Sequence, residues 1–120
     1  VIFDTNVLIY LSKSELNLEY ILNEKAAISV ITKIESLGYP FKDPNEHGFL
    51  LDICNALPVV PLSDAIAEET IKIRSKHKIK LPDAIIYATA VVSGLPLLTN
   101  NINDFRSLGG KVELIDPFTI

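Results

Sequence analysis

The stretch Val1-Ile2-Phe3-Asp4-Thr5-Asn6-Val7-Leu8-Ile9-Tyr10 opens the chain and decides how the remainder is read. Three apolar residues run into an Asp, two more polar residues follow, and a second apolar run begins. This pattern predicts a buried strand ending at Asp4 and a helix starting near Thr5 or Asn6. Asp4 is then expected at the carboxyl end of a central strand, the edge of an open parallel sheet where ligands bind. The same residues suit helix capping, because their side chains accept from the free N–H groups of a first turn. Taken alone, the segment leaves both roles open.

Working outward, the alternation of short apolar runs and helical stretches recurs. Leu16, Leu18, Ile21 and Leu22 suggest a second short helix, and Ala26-Ala27-Ile28-Ser29-Val30 a second buried strand. Residues 31–37 read as helix, stopped by Gly38-Tyr39-Pro40. Glu35 lies within it between Ile34 and Leu37, so its carboxylate is either turned to solvent or aimed at something that compensates its charge. Asp43-Pro44 open a helix reaching Leu57, and Pro58-Val59-Val60-Pro61 is a short strand whose prolines place it at an edge. Ser63 caps a helix running to about Lys76, with Ile66, Ile71 and Ile73 expected on or near its buried side.

Pro82 suits the first position of a helix through residues 83–92, which puts Asp83 in the first turn, where the helix dipole favours an ionised carboxylate. That helix is apolar nearly all round, hence buried, and Gly94 ends it. Leu95-Pro96-Leu97-Leu98-Thr99 reads as another central strand, followed by the polar turn Asn100-Asn101-Ile102-Asn103-Asp104-Phe105, and Val112-Glu113-Leu114-Ile115 as a last strand. Strands alternating with helices predict a three-layer α/β fold with a mostly parallel sheet, in one domain over residues 1–120.

Composition narrows the function classes. The chain is 48% hydrophobic with a net charge of −4, so it is not coated in the positive charge of a general nucleic-acid binder. Five of its 11 Lys and Arg, however, fall within nine residues: Lys72, Arg74, Lys76, Lys78 and Lys80. No apolar run reaches the length of a bilayer span, and no secretory leader pattern is present, so no membrane association is expected. The single cysteine, Cys54, sits among Leu50, Leu51, Ile53 and Leu57 as a small core residue; with no disulfide to form, the expected compartment is the cytoplasm. His47 and His77 stand far apart without ligand-like spacing and are expected at the surface.

The acids carry the chemistry. Asp4 and Asp104 follow strands, Asp83 opens a buried helix and Glu35 lies on another. Two carboxylates about 4 Å apart repel by roughly 4 kcal/mol at an effective dielectric of 20, so a convergent set must take up protons or bind a cation. Oxygen ligands without Cys or His point to Mg²⁺ or Mn²⁺. The alternative is three unrelated helix caps and one solvent-exposed glutamate.

At these four positions the chain resembles the PIN-domain family, above all the toxin ribonucleases of the VapC type. The matching segments are Phe3-Asp4-Thr5-Asn6-Val7-Leu8-Ile9, Ser29-Val30-Ile31-Thr32-Lys33-Ile34-Glu35, Leu81-Pro82-Asp83-Ala84-Ile85-Ile86-Tyr87-Ala88-Thr89-Ala90 and Leu98-Thr99-Asn100-Asn101-Ile102-Asn103-Asp104-Phe105. They occur in the family's order and span almost the whole chain. The resemblance implies a parallel sheet flanked by helices and a catalytic, metal-binding set of Asp4, Glu35, Asp83 and Asp104. Asn101 stands where many relatives carry Asp or Asn, and Thr5, Asn6 and Thr99 match polar positions that orient the acids or bound water.

The activity implied is metal-dependent hydrolysis of RNA phosphodiesters, with Mg²⁺ or Mn²⁺ on Asp4 and Asp83 activating water and Glu35 and Asp104 supporting it. Lys76, Lys78 and Lys80, leading into Asp83, are a candidate track for the RNA backbone. A toxin of this kind is expected to form a homodimer and to be silenced by a small antitoxin protein. The alternative is a non-catalytic PIN-like module for RNA binding or assembly. A haloacid-dehalogenase-like phosphatase would carry an Asp at position 6, where this chain has Asn6, and a receiver-like domain would need an acidic pair near the first strand.

Overall fold

The computed structural model describes residues 1–16 and 25–119. Except for Leu16, the helix expected at residues 16–22 lies outside them. The described elements are β1 (Ile2–Phe3), α1 (Thr5–Ser12), β2 (Ile28–Ser29), α2 (Val30–Leu37), α3 (Pro44–Ala56), β3 (Val59–Val60), α4 (Asp64–Lys76), α5 (Leu81–Ser93), β4 (Leu97–Leu98), α6 (Ile102–Arg106) and β5 (Leu114–Ile115), followed by a 3₁₀ turn at Pro117–Thr119. As expected for the α/β class, every described strand pairing is parallel.

β4 lies between β1 and β5, with Ile2 opposite Leu97 and Leu97 opposite Leu114. On the other side of β1 the Phe3 N–H donates to the Ala27 carbonyl at 3.1 Å and the Ala27 N–H to the Val1 carbonyl at 2.9 Å, which joins the β2–β3 pair to the same sheet. The resulting order is β3-β2-β1-β4-β5. β3 occupies the edge its prolines call for, and the Pro58 carbonyl still accepts from Ile28 at 3.0 Å.

Side chains alternate across a strand, and this divides the core in two. Ile2 and Leu97 point to one face, where they pack with Ile66 and Ile73 of α4, residues 84–88 of α5 and Phe105 of α6. Phe3 and Leu98 point to the other, meeting Val7, Leu8 and Leu11 of α1 and Leu50 and Cys54 of α3. Cys54 is a buried free thiol within this second cluster.

Residues 100–105, read as a polar turn, enter the short helix α6 (Ile102–Arg106), which places Asp104 in its first turn. Three further sequence expectations need correction. Ile71 is 63% exposed, because a residue two positions from Ile73 on a helix points to nearly the opposite side. Val30 starts α2, since the Ser29 hydroxyl caps that helix by accepting from the Ile31 N–H at 3.1 Å. The last strand is confined to Leu114–Ile115, although Val112 is buried just before it. Helix ends otherwise follow the sequence signals within a residue: Asp43 and Ser63 cap α3 and α4, and Gly94 terminates α5 in the left-handed conformation at φ 66°.

Candidate active site

The strand order reverses between β1 and β4, so the chain leaves these two neighbours in opposite directions and opens a crevice at their carboxyl ends. Asp4 stands there and performs both roles left open by the sequence. It is the N-cap of α1, its Oδ1 accepting from the Thr5 N–H at 2.8 Å, while its Oδ2 accepts from the Thr99 hydroxyl, 95 residues away, at 2.7 Å. The Thr99 oxygen accepts in turn from the Asn101 N–H at 2.9 Å, tying the turn after β4 to the acid. The parallel register makes this possible, with the Asp4 N–H bonded to the Leu98 carbonyl at 2.9 Å.

Asp4 is only 5% exposed. Burial pushes its carboxyl from 3.8 up to about 6 against the pull of the Thr99 and Thr5 hydrogen bonds, and the nearby charges of Asp83 and Glu35 add to the rise. Asp83, in the first turn of α5, is also shifted upward by burial and by Glu35, with Lys80 opposing and Asp104 adding. Glu35 is held by the Thr5 hydroxyl, which donates to its Oε1 at 2.7 Å and lies 3.3 Å from the Thr32 hydroxyl. Successive residues, Asp4 and Thr5, thereby connect the ends of β4 and α2.

These groups line two adjoining hollows. Asp4, Glu35 and Asp83 share one of about 400 Å³ with Thr5, Asn6, Tyr10 and Tyr39. Asp83 and Asp104 share the other, of about 620 Å³, with Arg74, Lys78 and Lys80. Asp83 and Asn101 border both, so the hollows form one cleft with these two residues at its waist.

All four acids therefore border the cleft, as do Thr5, Asn6 and Asn101, while Thr99 supports it from beneath as a fully buried residue. Lys78 and Lys80 face it, but Lys76 lines a separate cavity of about 230 Å³ with Glu69, Lys72 and Lys111. Arg74 takes the facing position instead. Cation density along the sequence does not distinguish these residues; helical register does, since positions 74 and 76 are about 200° apart. Thr32, Tyr10 and Tyr39 also escaped the sequence reading, because an isolated Thr or Tyr carries no local signal of what lies opposite it.

The donor set suits a hard divalent cation. Carboxylates and amides line the cleft without His or Cys, and the Asn6 Oδ1 is buried on its wall with no hydrogen-bond partner. Oxygen donors of this kind suit a Mg²⁺-like ion, which keeps several waters and takes one or two carboxylates directly, better than a structural zinc. Among the described residues, no three or more Asp, Glu, His or Cys side chains stand close enough together to hold a metal ion between them.

Residues 1–111 match the family model of the PIN domain. A toxin–antitoxin complex from Klebsiella pneumoniae contains a similar chain, 31% identical with a TM-score of 0.77, the match covering 98% of this chain and 97% of that one. DNA-bound VapBC from Salmonella typhimurium shares the fold at 24% identity and TM-score 0.79, covering 96% of each chain. FitAcB from Neisseria gonorrhoeae does so at 19% identity and TM-score 0.79, covering 99% of each. No curated protein matches the chain. With the family model spanning nearly the whole sequence and the fold shared with VapBC structures, this chain belongs to the PIN-domain family.

Proposed function

We propose that the chain is a single-domain, metal-dependent endoribonuclease, acting as the toxin of a VapBC-type toxin–antitoxin pair in the cytoplasm. PIN domains of VapC toxins are typically nucleases and the family is generally metal-dependent. The observation that carries the proposal is a buried carboxylate, Asp4, fixed by Thr5 and Thr99 at the floor of a cleft where Glu35, Asp83 and Asp104 also gather. Burying the Asp4 carboxylate beside the half-buried Glu35 and Asp83 is costly unless a cation compensates the charge.

Asp4 and Asp83 would hold Mg²⁺ or Mn²⁺, which supplies Lewis-acid polarisation of a phosphate and a more acidic water. Glu35, oriented by Thr5, and Asp104 accept hydrogen bonds from water in the cleft, and Asn101 at the waist orients the scissile group. Arg74, Lys78 and Lys80 attract the phosphates that lead into it. A small antitoxin whose basic side chains neutralise the acids, and a homodimeric assembly, complete the proposal; the Klebsiella relative occurs in a toxin–antitoxin complex.

Cleavage of a mixed RNA panel, including tRNA and structured rRNA fragments, tests this with Mg²⁺ or Mn²⁺ and with EDTA and Asp83→Asn as controls. Cutting that needs both metal and Asp83 is the expected result. Metal binding without cutting across the panel would favour the non-catalytic module, and absence of metal binding would leave Asp4 as a helix cap and Asp83 as a first-turn acid facing the helix dipole.

A further inference from the structure

Lys72 and Lys76 belong to the basic run of the sequence but line a cavity of about 230 Å³ that shares no residue with the cleft. Glu69, Lys72 and Lys76 recur at i, i+3 and i+7 on α4 and so present one face to it. Across from them Gly109 and Gly110, at φ 101° and 75°, turn the chain after α6 and bring Lys111 over the same cavity, its Nζ 3.4 Å from the Glu69 Oε1. Tyr87 lines it from α5, only 1% exposed and stacked on Phe105 with centroids 5.9 Å apart. Burial pushes the Tyr87 phenol above its usual 10, against the Lys111 and Val112 N–H groups that bond its oxygen, so the hydroxyl keeps a proton to donate. With Glu69 paired to Lys111, the exposed Lys72 and Lys76 are left in no ion pair among the described residues, and His77 stands beside them.

We propose that this cavity binds the terminal phosphate of a small phosphomonoester, either free phosphate or a mononucleotide, with Tyr87 donating from within, Lys72 and Lys76 from α4 and Lys111 from the turn. The site is distinct from the track of Arg74, Lys78 and Lys80. Its size is below the roughly 300–1,000 Å³ of sites for larger organic ligands, so a phosphate enters and an attached nucleoside stays outside. A monoester carries close to two negative charges and three free acceptor oxygens, which matches donors arriving from three separate elements. A diester has one charge and substituents on two of its oxygens, so a continuous RNA backbone satisfies fewer of these donors.

Isothermal titration calorimetry of the metal-free protein at pH 7.5 with inorganic phosphate and with AMP tests this, alongside ¹H–¹⁵N spectra that locate the ligand by the Gly109, Gly110 and Lys111 amides. The dinucleotide ApA, a diester without a terminal phosphate, is the contrast and is expected not to compete. Tyr87→Phe keeps the ring and removes the donor, and is expected to weaken binding about tenfold to 150-fold, the range for a hydrogen bond to a charged group. Lys72→Gln is expected to weaken it about twofold to fivefold, Glu69→Gln to strengthen it, and Lys78→Gln, in the cleft, to leave it unchanged. Equal affinity for phosphate and AMP would assign free phosphate as the ligand, and tighter AMP a mononucleotide.

Absence of heat and of amide shifts at millimolar phosphate and AMP, unchanged affinity in Tyr87→Phe, or weakening by Lys78→Gln in place of Lys72→Gln would overturn the proposal. ApA binding as tightly as AMP would overturn it as well and make the cavity part of a phosphodiester track. Should Tyr87→Phe fail to fold, Lys72→Gln, on an exposed side chain, decides. None of these outcomes bears on the metal-dependent cutting proposed above, in which no residue of this cavity takes part.

Discussion

Asp4 is the most constrained residue of the site, since its two oxygens serve a helix cap and a cross-strand bond at once. Thr99→Val keeps the shape but removes both the donor to Asp4 and the acceptor for Asn101. Leaving buried polar groups unpaired is expected to cost about 1–3 kcal/mol in denaturant melts, and RNA cleavage should fall with it. The pH dependence has a definite sign. The folded carboxyl, at about 6, binds its proton more tightly than the usual 3.8, so its contribution to stability is full below 3.8 and lost as pH rises through 6. The ceiling of that loss is about 3 kcal/mol. In EDTA, the difference in Tm between Asp4→Asn and the parent should therefore move in favour of the variant from pH 4 to pH 7.5; a difference independent of pH would show that the buried charge carries no such cost. Addition of Mg²⁺ at pH 7.5 is expected to raise the Tm of the parent and to leave Asp4→Asn unchanged.

Within the helices, register determines which residues matter. Ile73 of α4 is 6% exposed and Ile71 is 63% exposed, although they are the same residue type two positions apart. Ile73→Ala is expected to lose about 2–5 kcal/mol, whereas Ile71→Ala should stay within roughly 0.5 kcal/mol, both measured by urea unfolding. The end of α5 is set by Gly94 at φ 66° with open space where a Cβ would stand, so Gly94→Ala meets no clash. Its expected cost is the left-handed backbone alone, about 1–2 kcal/mol in the same measurement. Such ends were legible in the sequence because Gly, Pro, Ser and Asp act on their own backbone. Ile71 was misplaced because its apolar type was weighed above its register, which sets it about 200° from Ile73.

At the scale of the whole molecule, the cleft exists because β1 lies beside β4, and their loops leave in opposite directions at the point where Asp4, Thr99 and Asn101 meet. The order of strands and helices and the positions of Asp4, Glu35, Asp83 and Asp104 were readable from one chain, since apolar runs and capping residues report local preferences within a few positions. Strand pairing, by contrast, depends on contacts between residues nearly a hundred positions apart, whose energies no local pattern encodes. The resemblance named Thr5 and Thr99 as orienting positions, but only the tertiary structure showed which acid each one holds, Thr99 bonding Asp4 and Thr5 bonding Glu35. It also turned Arg74 rather than Lys76 toward the cleft and set Tyr10 and Tyr39 across from the cations, because side-chain direction follows helix register and packing, whereas sequence spacing constrains only which residue types are available.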